Sequence, residues 1–300
     1  MCTNNTAETR RRSHGKEGRT MRCDYPTTVN EALALLAAAP DSVLVAGCTD
    51  FFPAQGLAPI TRPIIDLSAI AEARGIAAGA DGWRFGALTT WSDIATADLP
   101  ARFRGLQQAA RQVGALQIQN VGTIGGNLCN ASPAADGVPP LLCLDASVEL
   151  ASAEGTRKVP LDRFILGNRK TERRPDEMVT AILIPDGGAK AASAFLKLGS
   201  RTSLVISIAM VSVLLEADGA GKVARAAVAV GACSVVAKRL EALEADLRGQ
   251  PVSPGLADLV TPAHLSPLSP IRDLRGTPEY RLDVALTMIR RGLAEVGGLV

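Results

Sequence analysis

The stretch that decides the fold is TIGGN, residues 123–127, which lies inside VGTIGGNLCNASPAADGVPPLLCLDA, residues 121–146. Two adjacent glycines allow a ligand to approach the backbone more closely than any Cβ would permit. Successive N–H groups of such a turn can converge on an anion such as a pyrophosphate. Thr123 and Asn127 add side-chain hydrogen bonds, and Asp136 can accept hydrogen bonds from sugar or polyol hydroxyls. A simple Gly-rich turn between two strands is the alternative interpretation.

A second segment of similar character lies about seventy residues upstream, where Ala46-Gly47-Cys48-Thr49-Asp50 follows a short apolar run. The pair resembles two loops in the FAD-binding subunit of the molybdenum hydroxylases, the family of xanthine dehydrogenase and carbon monoxide dehydrogenase. In that family TIGGN and a loop of the type A-G-G-T/H-D/S hold the FAD pyrophosphate. Cys48 stands where the family usually has its second glycine, so its Cβ is expected to narrow the pocket.

The resemblance extends over residues 21–295. The segment from Asp273 to Arg281 is similar to the family pattern D-x-R-G-S/T-x-x-Y-R, and Gly231-Ala232-Cys233-Ser234 also fits. It implies an α+β fold: a two-subdomain FAD-binding domain of the xanthine dehydrogenase and vanillyl-alcohol-oxidase type, followed by a small antiparallel sheet with helices. The predicted divisions are a disordered tail (1–20), an FAD-binding domain (21–189, with subdomains of about 21–75 and 76–189) and a C-terminal domain (190–300).

The resemblance further implies a function. The chain would carry noncovalent FAD as the electron-transfer subunit of a heterotrimer, taking electrons from a small [2Fe–2S] subunit. A large subunit with the molybdenum cofactor would hydroxylate the substrate, and the electrons would leave to an external acceptor such as NAD, oxygen or quinone. The protein's task would be to position the cofactor and to set its electrostatic surroundings.

Sixteen residues are predicted to contact FAD on this basis. For seven of them the residues leave an alternative open: Gly47, Gly125 and Gly126 as turn glycines, Cys48 as a small buried cysteine, Asp136 as a turn cap, Val179 as a core residue, and Lys197 as a solvated strand lysine. Gln119 stands where relatives often have arginine. The complete predicted set is Leu44, Val45, Ala46, Gly47, Cys48, Thr49, Asp50, Phe51, Thr123, Ile124, Gly125, Gly126, Asn127, Asp136, Val179 and Lys197.

Composition excludes several other classes of protein. With 47% hydrophobic and 21% charged residues the chain is an ordinary globular protein, and no run approaches the roughly 18 apolar residues of a membrane span. Aromatic residues make up only 3%, without a basic-aromatic stripe, which argues against nucleic-acid binding. Six scattered cysteines form no C-x-x-C pair, which indicates reduced thiols, a cytoplasmic location, and no zinc or iron–sulfur site of the usual spacing.

The first twenty residues differ in composition from the rest. They hold five Lys/Arg against two Glu and lack hydrophobic periodicity, which is typical of a disordered tail. No apolar stretch follows the Arg triplet, so the pattern does not fit a secretory or twin-arginine signal. Met21 begins the first patterned segment and is a candidate translation start.

Local patterns predict the order of elements. Residues 28–31 form a capping box that opens a helix, and residues 43–46 and 63–67 read as strands of a β-α-β-like unit. Asp81-Gly82 predicts a hairpin, and Thr90 a helix start. Further helices are predicted at 101–114, 235–248 and 279–291, and further strands at 147–151, 176–185, 204–216 and 222–230, with a Pro-rich loop at 251–270.

Two other functions remain open. A stand-alone FAD oxidase or dehydrogenase would need a substrate pocket, usually with a general base, and often a covalent flavin link. His14 and His264 lie away from the cofactor motifs, which argues against a histidyl flavin link. A flavin-free scaffold subunit that retains the fold is the third possibility, which Cys48 and Gln119 leave open.

Overall fold

The computed structural model describes residues 22–188, 190–201 and 205–300. The predicted tail, the candidate start at Met21 and His14 lie outside these residues. The described chain forms three larger sheets and one two-stranded sheet, with helices packed between and around them. Within the described ranges, none of the helices is long and apolar enough to cross a membrane.

The first sheet is parallel and small, with strand order β1-β3-β2. Thr28 caps α1, since its side chain accepts from the N–H of Glu31 at 3.1 Å. The Glu31 carboxylate accepts from the N–H of Thr27 at 2.8 Å, so the predicted capping box forms only on its Thr28 side. The predicted β-α-β-like unit is present: β1 Cys23–Asp24, α1 Val29–Ala38, β2 Val43–Val45, α2 Phe51–Gln55 and β3 Ile64–Asp66.

The second sheet is antiparallel, in the order β4-β5-β10-β6-β7. The predicted hairpin is present, but its two turn residues are Ala80 and Asp81, because Gly82 already pairs with Gly79. The helix predicted for residues 101–114 is a 3-10 turn, Ala101–Phe103, followed by a helix that ends at Ala110. Strands β8 and β9 form the separate two-stranded sheet. The elements of this part of the chain are β4 Ile76–Gly79, β5 Gly82–Gly86, α3 Trp91–Thr96, α4 Arg104–Ala110, α5 Leu116–Gln119, α6 Ile124–Asn130, α7 Val138–Cys143, β6 Ser147–Ser152, β7 Gly155–Pro160, α8 Leu161–Phe164, β8 Ile165–Gly167, β9 Lys170–Thr171 and β10 Met178–Pro185.

The third sheet, β11-β12-β13-β14, is also antiparallel. For its first strand no bounds were predicted, only the interpretation of Lys197 as a strand residue. The remaining elements are β11 Ala191–Leu198, β12 Ala209–Ala217, β13 Val223–Gly231, β14 Lys238–Arg239, α9 Glu241–Leu247, the 3-10 turns Pro254–Leu259 and Pro262–Leu265, and α10 Pro278–Gly297. Helices α4 and α7 pack between the second and third sheets, and Leu214, Ala227 and Ala229 join the core of the second sheet.

The helix predicted for residues 235–248 is wrong in its first half. Lys238 and Arg239 pair with β13 as a short strand, and the N–H of Leu240 donates to Val228 at 2.9 Å. The Arg239 guanidinium binds Asp145 and Glu244, so tertiary contacts hold this segment extended until α9 begins.

Candidate cofactor site

The two predicted ligand segments touch each other backbone to backbone. A Cβ placed on Gly47 would lie 1.8 Å from the carbonyl oxygen of Val121 and 2.9 Å from the nitrogen of Gly122. A Cβ placed on Gly122 would lie 3.6 Å from the Thr49 hydroxyl. Position 47 therefore admits only glycine, and the close approach brings residues 46–50 beside residues 121–127.

The TIGGN segment is a helix start rather than a loop. Thr123 is the N-cap of α6, and its hydroxyl accepts from the N–H of Gly126 at 3.1 Å. The N–H of Gly125 donates to the carbonyl of Ala87 at 2.9 Å. The prediction that the glycine N–H groups are free to converge on an anion is therefore wrong for this conformation, because helix capping and a tertiary contact already use both donors.

The two glycines have different surroundings. A Cβ on Gly125 would lie 2.8 Å from the Cβ and from the carbonyl oxygen of Ala87, so this glycine is required for packing. Gly126 is exposed, and the one nearby atom that its Cβ would meet is the Thr123 hydroxyl, at 2.8 Å. Gly126 thus presents an uncovered backbone surface, while Gly125 fixes α6 against the second sheet.

The unused backbone donors lie in the first segment. Among the described residues, the N–H groups of Gly47, Cys48, Thr49 and Asp50 have no hydrogen-bond partner. They are consecutive, and Cys48 has a φ of +57° in the left-handed region. Consecutive N–H groups around a left-handed residue form a concave nest for anions. We call residues 47–50 the N–H nest.

Cys48 has an unfavourable backbone conformation in the N–H nest. A residue with a Cβ loses roughly 1–2 kcal/mol in the left-handed region, a cost that glycine avoids. Its thiol donates to the carbonyl of Ala46 at 3.4 Å. Burial raises the pKa of the thiol, and the neighbouring charge of Asp66 raises it further, so the thiol is protonated at neutral pH.

A buried acceptor without a donor lies on the other wall of the site. The side-chain oxygen of Asn127, on α6, is buried and has no hydrogen-bond partner in the described structure. A Cβ on Gly137 would lie 3.0 Å from this oxygen and would overlap the ring of Trp91. Since an unsatisfied buried acceptor costs free energy, this atom indicates a place for a ligand donor such as a hydroxyl.

These groups match the chemistry of FAD. The N–H nest suits a pyrophosphate, and the Asn127 oxygen suits a hydroxyl of the ribityl chain or the ribose. The arrangement offers binding groups, and it fits a dinucleotide cofactor better than a neutral apolar ligand.

Asp136 and Lys197 form a buried ion pair. Lys197 Nζ lies 2.6 Å from Asp136 Oδ2, and the Ser207 hydroxyl donates to Asp136 Oδ1, also at 2.6 Å. The side chains of the pair are only 7% and 8% exposed, so the interpretation of Lys197 as a solvated lysine is wrong. Burial raises the pKa of Asp136, although Lys197 and Ser207 partly offset this effect. A contact of either residue with FAD stays a prediction.

Other predicted residues lie on strands or directly after them. Val179, on β10, is 6% exposed and belongs to the core of the second sheet. Val45 is buried on β2, whereas Leu44 and Phe51 are partly exposed near the nest. Gln119 binds locally, because its side-chain nitrogen donates to the carbonyl of Arg111 at 3.0 Å.

Four neighbours of the site were missed in the sequence: Ala87, Trp91, Gly122 and Gly137. Trp91 follows the predicted helix start at Thr90, and its N–H donates to the carbonyl of Gly122 at 3.1 Å. The helix start was a visible local signal. Its position beside the TIGGN segment depends on tertiary pairing, which no local pattern encodes.

Two family models match the chain. A model described as the FAD binding domain in molybdopterin dehydrogenase matches residues 19–187. A second model, described as the CO dehydrogenase flavoprotein C-terminal domain, matches residues 194–296.

Individual proteins are also similar to the chain in sequence and in structure. The nicotinate dehydrogenase FAD-subunit of Eubacterium barkeri is 37% identical over 190 residues, which cover 61% of this chain and 64% of that subunit. The xanthine dehydrogenase FAD-binding subunit of Escherichia coli O157:H7 is 29% identical over 272 residues, covering 89% and 93%. A structure of carbon monoxide dehydrogenase from Hydrogenophaga pseudoflava has a chain with a TM-score of 0.84 and 29% identity, covering 93% of this chain and 97% of that one.

Proposed function

The chain belongs to the FAD-binding family of the molybdopterin dehydrogenases, and from this premise we propose that it is the FAD-carrying electron-transfer subunit of a multi-subunit molybdenum hydroxylase. The proposal is supported by relatives that are FAD or medium subunits of dehydrogenases and hydroxylases. It also rests on the match of both halves of the chain to family models.

The contact between the N–H nest and the TIGGN segment is the structural observation that carries the proposal. The nest donors would hold the pyrophosphate, and Asn127 would accept from a cofactor hydroxyl. Gly126 would leave room for close approach, and Gly125 would keep α6 in place. When bound, FAD supplies the ability to take up electrons singly and to release them in pairs; the chain itself binds and orients the cofactor.

Other chains would supply the remaining redox centres. A large subunit would carry the molybdenum cofactor, and a small subunit would carry the [2Fe–2S] clusters from which electrons reach this chain. The carbon monoxide dehydrogenase relative is named a medium chain, which supports such an assembly. We extend the proposal to a heterotrimer in the cytoplasm that passes electrons to NAD, oxygen or quinone.

The absorption spectrum of the purified chain tests this proposal, together with identification of the cofactor released by heat. Noncovalent FAD near one per chain would support it, and pull-down of a molybdenum and an iron–sulfur subunit would extend it to the complex. Flavin that remains attached after denaturation would support a stand-alone oxidase instead. A chain that takes up no flavin even from added FAD would refute the proposal and leave a scaffold role.

A further inference from the structure

A buried cluster links the C-terminal sheet to the wall of the cofactor site. Asp136 lies between α6 and α7, whereas Lys197 lies on β11 and Ser207 lies two residues before β12. Both carboxylate oxygens of Asp136 are engaged, each at 2.6 Å. Lys197 Nζ also donates to the carbonyl of Gln112 at 3.2 Å. One ammonium group therefore ties β11 to two separate segments of the first 188 residues.

The cluster is only one residue away from atoms of the proposed site. Asp136 directly precedes Gly137, whose α carbon packs against the ring of Trp91 and beside the Asn127 side-chain oxygen. The N–H of Trp91 in turn donates to the carbonyl of Gly122, next to the N–H nest. These contacts leave no room even for a Cβ on Gly137. A displacement of Asp136 would therefore also displace Gly137, and with it Trp91 or the Asn127 side chain.

The charges of the cluster balance each other. The carboxylate of Asp136 offsets the ammonium of Lys197, and little of either side chain reaches solvent. Removing one member leaves a buried charge without a partner, which destabilises a protein more than removing both members does. The arrangement therefore predicts strong coupling between the two positions.

We propose that Asp136, Lys197 and Ser207 form a clasp that positions the Asn127 and Gly137 wall of the site against the C-terminal sheet, so that Lys197 acts as a positioning residue and not as an unpaired positive charge for the cofactor. The inference rests on the proposed function for the identity of the ligand. The clasp itself is defined by contacts within the chain.

A double-mutant cycle tests the clasp, with Asp136→Asn, Lys197→Met and the double variant. The dissociation constant for FAD would be measured by flavin fluorescence, and the reduction potential of the bound flavin by dye equilibration. Each single variant is expected to raise the dissociation constant by on the order of tenfold, and the double variant by clearly less than the product of the two effects. The reduction potential is expected to stay at the wild-type value in every variant that binds FAD.

Two further variants serve as a control and as a milder perturbation of the clasp. Glu177→Gln breaks another ion pair, since the Glu177 side chain is 3% exposed and lies 2.5 Å from Arg157. This variant should lower the unfolding temperature and leave the dissociation constant for FAD at the wild-type value. Ser207→Ala is a milder change, which should weaken FAD binding in the same direction if the single charge variants fail to fold.

Some outcomes would overturn the clasp. Multiplicative effects on FAD affinity, or a reduction potential shifted by Lys197→Met and not by Asp136→Asn, would show that Lys197 acts directly on the flavin. If the wild-type chain binds no FAD, the proposed function fails, but the same cycle on the unfolding of the apo chain still tests the clasp. Non-additive unfolding effects would support it and additive ones would refute it.

Discussion

Replacing Gly47 with alanine should separate the two segments of the site. The new Cβ would lie 1.8 Å from the Val121 carbonyl oxygen, and real Cβ contacts essentially never fall below 3.0 Å, so one segment must retreat by about 1.2 Å. The second segment is held in place, because the N–H of Gly122 donates to Ile118 at 2.7 Å and its carbonyl accepts from Trp91. Forcing an atom into a packed region costs about 1–3 kcal/mol. If the whole of this free energy is lost from FAD binding, the dissociation constant for FAD rises roughly 5- to 150-fold.

Flavin fluorescence titration of the apo chain measures this effect, with thermal unfolding as a check on folding. Gly219→Ala is the matched control, because no atom lies within 4 Å of the position of its Cβ; it should bind FAD like the wild type. Wild-type affinity in a folded Gly47→Ala variant would refute the reasoning, since the contact would then be unnecessary for cofactor binding.

Three other substitutions have defined expected outcomes. Cys48→Gly should stabilise the apo chain by up to about 1 kcal/mol in urea unfolding, because relief of the left-handed strain exceeds the entropy cost of glycine, whereas Cys48→Ala keeps the strain and should show no gain. Asn127→Ala should leave the apo chain at least as stable, since it removes an unsatisfied acceptor, yet weaken FAD binding about tenfold in the same titration. Burial alone would raise the pKa of Asp273, but hydrogen bonds from the Arg275 N–H and from Arg281 lower it to about 2. A lowered carboxyl pKa stabilises the fold above pH 3.8, so Asp273→Asn should cost about 1–2 kcal/mol at pH 7, and urea unfolding at several pH values should show this difference vanish towards pH 2.

Local signals in the sequence account for much of the fold. The apolar run before Gly47, the hairpin that contains Asp81 and Gly82 and the caps at Thr28 and Thr90 each depend on neighbouring residues, and the structure contains each of them, with the turn of the hairpin one residue earlier than predicted. The family resemblance supplied the pairing of two distant segments, which spacing along the chain does not encode.

The errors arose where distant residues compete for a local group. Gly125 looked free in sequence, but its N–H binds Ala87, which is 38 residues away. Lys197 had two interpretations in the sequence, a flavin contact or a solvated strand lysine, and its burial against Asp136 excludes the second. Gly125 meets Ala87 only when α6 packs against the second sheet, and Lys197 meets Asp136 only when the third sheet packs against the preceding part of the chain, so no local pattern predicts either pair.

The left-handed backbone of Cys48 was only partly visible in advance. The family's glycine at this position suggested a steric requirement, and the φ of +57° supplies the physical reason for it. The N–H nest itself was hidden, because the sequence shows which residues lack side chains and not which donors lack partners.

Titration of the apo chain with FAD, in competition with ADP and with riboflavin, tests the central claim most directly. If the N–H nest holds a pyrophosphate, FAD should bind at one per chain, ADP should displace it, and riboflavin should compete far more weakly. Absence of FAD binding, or displacement by riboflavin as effective as that by ADP, would contradict the assignment of residues 47–50 to the pyrophosphate.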